Sequence, residues 1–235
     1  MSGPATGPTG GPRLVLATRN AHKVTELVRL LRPHVPDLAD GDVVAVSALT
    51  GLGLPDPGEV VESGVSFAEN ALLKARAIAA ATGLPAVGDD SGLCVAVLGG
   101  APGVFSARWA GRHGDDEANL RLLLEQLVEV PDGHRAAWFE CAAALVDPTA
   151  TCGVAGEVAG EATGQPVEVV ATGRLAGVLT HRPRGHGGFG YDPVLVPDGQ
   201  RRTCAELDPA EKDAISHRGQ AMGALASRLV GVLTR

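Results

Sequence analysis

Two short stretches far apart in the chain carry residue types suited to gripping one ligand: Thr18-Arg19-Asn20-Ala21-His22-Lys23 and Gly187-Gly188-Phe189-Gly190-Tyr191-Asp192. The first reads as a strand running into a helix. It puts Lys23 in the first helical turn, where the backbone dipole disfavours a cation unless an anion is bound beside it. The second sets two of the chain's few aromatic residues among glycines, so that flat rings meet backbone able to approach a ligand closely. Phosphate at one stretch and a base at the other is the reading these types support. Between them lies Asp89-Asp90-Ser91-Gly92. In extended chain adjacent side chains point to opposite faces, so its two carboxylates cannot share one task.

The elements that must position these residues alternate between strand and helix. Arg13 to Ala17 reads as a short apolar strand. Ala21 to Leu31 has apolar residues at helical spacing and is stopped by Pro33, which puts Asn20 at the N-cap. Ser66-x-x-Glu69 has the form of a capping box, opening a helix to about Thr82 with Gly83 and Pro85 as stop signals. On that helix Asn70 and Lys74 share a face. Pro85 to Val87 reads as a short strand delivering the aspartate pair at its end. Asp116 to Val128 reads as an amphipathic helix, Ala136 to Val146 as an apolar strand, and Val167 to Leu179 as a strand with a glycine break. The glycine-rich run Gly153 to Glu161 reads as a hairpin tip or loose loop. Asp208-Pro209-x-Glu211 opens a helix, and Ala221 to Leu233 forms a terminal one.

Composition narrows the classes. The chain has 235 residues, enough to bury a large core, and reads as a 12-residue disordered tail followed by a single two-lobed domain over 13–235. A formal net charge of -7 argues against broad capture of nucleic acid or anionic membrane, so an anion must be gripped locally. No apolar run approaches the roughly 20 residues needed to span a bilayer, and the first 12 residues lack the apolar core of a signal peptide. The four cysteines form no C-x-x-C pair, which points to reduced thiols and the cytoplasm. Zinc-protease, P-loop and serine-hydrolase signatures are missing, leaving magnesium with carboxylates as the hydrolytic option.

Six blocks in order resemble the inosine triphosphate pyrophosphatases, also called non-standard purine nucleotide pyrophosphatases. They are Leu16-Ala17-Thr18-x-Asn20-x-x-Lys23; Glu62-Ser63-Gly64 through Asn70 and Lys74; Asp89 to Leu93; Leu98 to Arg108; Gly187 to Pro193; and Ser216-His217-Arg218-Gly219. The resemblance implies an α/β fold, an elongated mixed sheet flanked by helices in two lobes with the site in the cleft between them. It also implies a homodimer that hydrolyses inosine, deoxyinosine or xanthosine triphosphate to monophosphate and pyrophosphate with magnesium, cleansing the nucleotide pool. By the same resemblance Asp90 is the catalytic carboxylate, as metal ligand, general base or both. Phe189 stacks on the base, Gly190 allows its close approach, Tyr191 and Asp192 complete the wall, and Ser91 touches substrate. Thr18, Arg19, Asn20, Ala21, His22 and Lys23 form the loop at the phosphates. Arg19 and His22 stand where the family commonly has glycine and add positive charge there.

The chemistry asked of these residues has its own logic. Attack on the α phosphorus builds negative charge on the leaving pyrophosphate, so cations must surround it, and Lys23 and Lys74 fit that need. Magnesium takes one or two carboxylates plus phosphate oxygens and water, which makes Asp90 and Glu62 the candidates. Lysine and arginine only donate, so Lys212 and Arg218, with His217 able to donate, suit a keto oxygen at purine C6 and clash with the amino group of adenine. Singly, each residue has a plainer role, as a solvated helix lysine, a turn or a core aromatic. Their co-occurrence in order is what argues for a site. A pyrimidine-directed Maf-like pyrophosphatase and a nucleotide sensor without turnover are the alternatives to be tested.

Overall fold

The computed structural model describes residues 11–19, 21–151 and 166–235. Three expectations fall outside them: most of the N-terminal tail, the Asn20 N-cap and the Gly153 to Glu161 run. Among the described residues six strands form one mixed sheet: β1 (Leu14–Leu16), β2 (Val43–Ala45), β3 (Ala86–Val95), β4 (Ala136–Thr151), β5 (Pro166–Leu179) and β6 (Leu195–Pro197), in the order β2-β1-β3-β4-β5-β6. The first three pair in parallel and the rest antiparallel. Among the described residues five α-helices flank the sheet: α1 (Ala21–Leu31), α2 (Phe67–Thr82), α3 (Asp116–Gln126), α4 (Pro209–Ile215) and α5 (His217–Leu233). An α/β fold with a mixed sheet between helices is what the resemblance implied.

The helices pack on opposite faces because alternate strand residues point opposite ways. Leu14, Leu16 and Val87 join α1 and α5 in one core, whereas Val15 and Ala86 join α2 in a second. A third core lies beneath α3, where Leu93, Val95, Phe139 and Leu195 meet Leu123 and Leu127. At the edge of that third core Arg135, 1% exposed, donates through Nε to the Leu179 carbonyl, through Nη1 to Leu127 and through Nη2 to Thr180. The end of α3 and the end of β5 are thereby fastened to one guanidinium.

Two elements exceed the sequence reading. Strand β3 runs eight residues past Val87, so the aspartate pair sits inside the strand and not at its end. Gly88 looks like a breaker, but it is a packing site: a Cβ there would lie 2.3 Å from the Ala71 carbonyl oxygen of α2. Helix α5 starts at His217, four residues before its apolar period begins, with Ser216 capping it through a bond from the Gly219 N–H. Gly173 of β5 plays the same part for α5 that Gly88 plays for α2, since a Cβ there would lie 2.1 Å from the His217 carbonyl oxygen. Smaller differences lie at other ends. Helix α3 stops at Gln126, β4 continues to Thr151, and Glu69 accepts from the N–H of Val65 and not of Ser66, so the box at α2 is not closed reciprocally.

Candidate active site

Strand β1 ends at Leu16, opposite Val87, while β3 continues beside β4 alone. Past Val87 the β1-side edge of β3 is paired with no strand among the described residues up to Cys94. This bare edge carries Asp89, Asp90 and Ser91, and from it both faces of the sheet can be reached.

On the face shared by α1 and α5, Asp89 is 3% exposed and accepts from Lys23 Nζ at 3.0 Å and from Arg218 Nε at 3.0 Å. Both cations sit in first helical turns, Lys23 in α1 and Arg218 in α5, where the dipole opposes them. The buried carboxylate offsets that cost for both at once. Burial alone would raise the Asp89 pKa, but the charges of Lys23 and Arg218 outweigh it and hold the carboxyl far below the ordinary carboxylate range. Arg218 Nη2 also reaches Ser91 Oγ at 3.4 Å. Two helix N-termini and two cations thus converge on one side of the bare edge, an arrangement suited to phosphate.

On the opposite face Asp90 accepts from Asn70 Nδ2 at 2.9 Å and from Lys74 Nζ at 3.4 Å. Lys74 also donates to Glu62 Oε1 at 3.0 Å, so Glu62 and Asp90 flank one ammonium. Burial raises the Asp90 pKa, and Lys74 and Asn70 offset only part of this, leaving the carboxyl above its ordinary value. For Lys74 burial works downward, but Asp90 and Glu62 outweigh it and its pKa rises. Asn70 is fully buried and also accepts from the Gly64 N–H at 2.9 Å, which ties the loop bearing Glu62 to α2. It was not among the candidate site residues, although its four-residue spacing from Lys74 was the signal.

The aromatic loop closes a third side. Phe189 is 66% exposed, with Lys212 Nζ 5.4 Å from its ring centroid. Asp192 is buried, accepts from the Phe189 N–H at 2.8 Å and pairs with Lys212, so its side chain fixes the loop from behind. Gly190, at φ 59°, donates its N–H to Asp116 at the start of α3. The Tyr191 ring is buried in the third core, its hydroxyl donating to the Ser106 carbonyl at 2.9 Å. His217 stacks on Phe139 with centroids 5.1 Å apart, and its Nδ1 is buried without a partner among the described residues. Burial first, then the charges of Arg218 and Lys212, push His217 down to about 3, so near neutral pH the ring carries one N–H and no charge. A cavity of about 180 Å³ lies between Phe189, Phe139, His217, Lys212, Arg218 and Ser91. A second, of about 440 Å³, shares Arg218 and Ser216 with it and reaches Lys23.

Thr18 is buried beyond the end of β1 and lines a third cavity, of about 540 Å³, with Arg19, Glu62 and Lys74. Arg19 pairs with Asp56 at 3.3 Å. Ala21 and His22 open α1, but their side chains, like all of Asn20, lie outside the description. Among the described residues no group of three or more His, Cys, Asp or Glu side chains converges on a metal position. Asp90 and Glu62 on one ammonium supply hard oxygen donors from two carboxylates. That set fits magnesium, which completes its shell with phosphate and water, and does not resemble an all-protein cage.

Residues 14–228 match the Ham1 family. A dITP/XTP pyrophosphatase of Streptomyces coelicolor is 56% identical over 217 residues, covering 91% of this chain and 94% of that protein. The crystal structure of a nucleoside-triphosphatase (dITP/XTP pyrophosphatase) from Mycobacterium abscessus superposes with a TM-score of 0.69 at 46% identity, covering 90% of this chain and 97% of that one. A HAM1 protein of Coxiella burnetii superposes with a TM-score of 0.74 at 39% identity, covering 95% and 98%.

Proposed function

The chain belongs to the Ham1 family, and from that premise we propose that it hydrolyses dITP, XTP and ITP to the monophosphate and pyrophosphate, with magnesium. The observation that carries this reading is the division of labour between adjacent carboxylates. Asp89 is committed to Lys23 and Arg218, whereas Asp90 faces the other side of the same strand beside Lys74, Asn70 and Glu62. Asp89 anchors Lys23 for the phosphates and Arg218 for the base; Asp90 is left for the water.

In the reaction the water oxygen bonds to the α phosphorus while its proton passes to Asp90. The bond from that phosphorus to the bridging oxygen breaks, and its electron pair stays with the departing pyrophosphate. An Asp90 carboxyl raised by burial is a stronger base than an aspartate in water. Lys74 stands within reach of the same carboxylate to take up charge at the phosphates. Asp90 and Glu62 would hold the magnesium, which when bound neutralises phosphate oxygens. Lys212 and Arg218 present N–H donors to the C6 keto oxygen. Adenine, with an amino group there, leaves these partly buried donors unmatched.

Incubation with magnesium and a panel of triphosphates tests the reading. Monophosphate and pyrophosphate are expected from dITP, XTP and ITP, with kcat/KM for ATP, CTP and UTP lower by about 100-fold or more, and chelation of the metal should abolish turnover. Comparable cleavage of UTP would favour a Maf-like enzyme, and tight dITP binding without product would make the protein a sensor. Free orthophosphate as first product would show the wrong bond breaking.

The same reading includes a cytoplasmic homodimer that clears non-standard purines from the nucleotide pool. Val65 and Phe105, 84% and 53% exposed, line one shallow cavity and support a paired surface. Sedimentation equilibrium at micromolar concentration should return twice the chain mass, and the monomer mass would remove the dimer from the proposal.

A further inference from the structure

We infer that Arg108 grips the terminal phosphates of the substrate and stays on them as they leave as pyrophosphate; this rests on the activity proposed above. Arg108 ends the turn Gly103–Arg108 and faces the cavity of about 540 Å³ that also receives Lys74, Glu62, Thr18 and His113. The other cations there are occupied, Arg19 by Asp56 and Lys74 by Glu62 and Asp90. Arg108 is half-buried and has no carboxylate within 4.0 Å among the described residues. Its guanidinium lies over the Phe105 ring, 5.5 Å from the centroid.

Its backbone is fixed with unusual care for an arginine that has no carboxylate partner among the described residues. Ser106 Oγ accepts the Leu93 N–H at 2.9 Å and donates to Gly103 at 2.6 Å. Tyr191 holds the Ser106 carbonyl, and the buried Asn119 holds the Ala107 carbonyl at 3.1 Å. The side chains of Ser106 itself, of Tyr191 in the aromatic loop and of Asn119 in α3 therefore pin the two residues before Arg108. A guanidinium so placed is a pre-set fork for phosphate oxygens, which it can take two at a time. The α phosphorus must lie by Asp90 for water to reach it. Lys74 and Glu62, which flank that carboxylate, line the cavity together with Arg108, so the groups beyond the α phosphate are the ones assigned to Arg108.

Calorimetric titration with pyrophosphate and, separately, with IMP distinguishes this role from a structural one, because IMP lacks the terminal phosphates. Arg108→Ala should weaken pyrophosphate by about tenfold or more while IMP affinity stays within about twofold, and Arg108→Lys should fall between. IMP binding also reports that the variant is folded; should the alanine variant lose it, Arg108→Gln, which keeps most of the side chain, repeats the comparison. Unchanged pyrophosphate affinity in a wild type that cleaves dITP overturns this inference alone, as does equal weakening of both ligands in the alanine and glutamine variants. A wild type that releases no monophosphate from dITP overturns the underlying activity, and this role with it.

Discussion

Asp90→Asn is expected to lower kcat on dITP by about 10²–10⁴-fold, while the nucleotide dissociation constant changes only severalfold. The substitution keeps the shape of the side chain and a hydrogen-bonding partner for Asn70, and it leaves Lys74 its bond to Glu62. What it removes is a basic oxygen at the bare edge of β3 and one of two negative charges on the α2 face. Single-turnover rates with equilibrium binding separate the two effects. A variant that retains most of the wild-type rate would take Asp90 out of the chemistry, whatever the fate of binding.

Asp89→Asn should act differently, through stability as well as binding. Asp89 is the buried partner of both Lys23 and Arg218, whose side chains are 24% and 17% exposed. Removing its charge strands two cations at two helix N-termini, and breaking a buried pair in this way costs about 3–5 kcal/mol. For a chain of this size that corresponds to a melting temperature lower by about 6–20 °C. The acid limb carries a second signature. The folded carboxyl titrates far below its ordinary value, so its contribution is complete above about pH 4, the unfolded aspartate value, and is lost as pH falls from there towards the folded one. His217 contributes separately: depressed from 6.5 to about 3, it loses stabilisation as pH falls across that interval. Thermal melts from pH 7 to pH 3 should therefore decline in both proteins, with the part below about pH 4 flattened in Asp89→Asn. A variant that melts with the wild type at pH 7 would show that Asp89 does not hold the two cations.

Helix α1 and most of α2 were legible because their apolar spacing and stop signals agree, with Pro33 after one and Gly83 and Pro85 after the other. The opposite facing of Asp89 and Asp90 was legible too, since it follows from the pleat alone. Which cation each would meet was not, because Lys23 and Arg218 lie 66 and 129 residues from Asp89 and meet it only once α1 and α5 share a face of the sheet. Strand β3 was cut short for a related reason: Gly88 and Gly92 look local, yet a Cβ at either would strike backbone or side chain from a distant segment. The aromatic loop shows the same limit. Its residue types announce a ligand surface, but the ties of Asp192 to Lys212 and of Gly190 to Asp116 depend on two helices that no local pattern brings there.

The contact at Gly88 also decides which wall of the crevice can give. With the backbone of α2 seated directly on β3, the backbones that carry Lys74, Asn70 and Asp90 are held at a fixed spacing. On the proposed reading, accommodation of purines that differ at C2 then falls to the opposing wall, where the exposed Phe189 projects from a loop anchored by the buried Tyr191 ring and by polar ties. Selectivity between hypoxanthine and xanthine can thus drift through changes in that loop without disturbing the spacing around the attacked phosphorus.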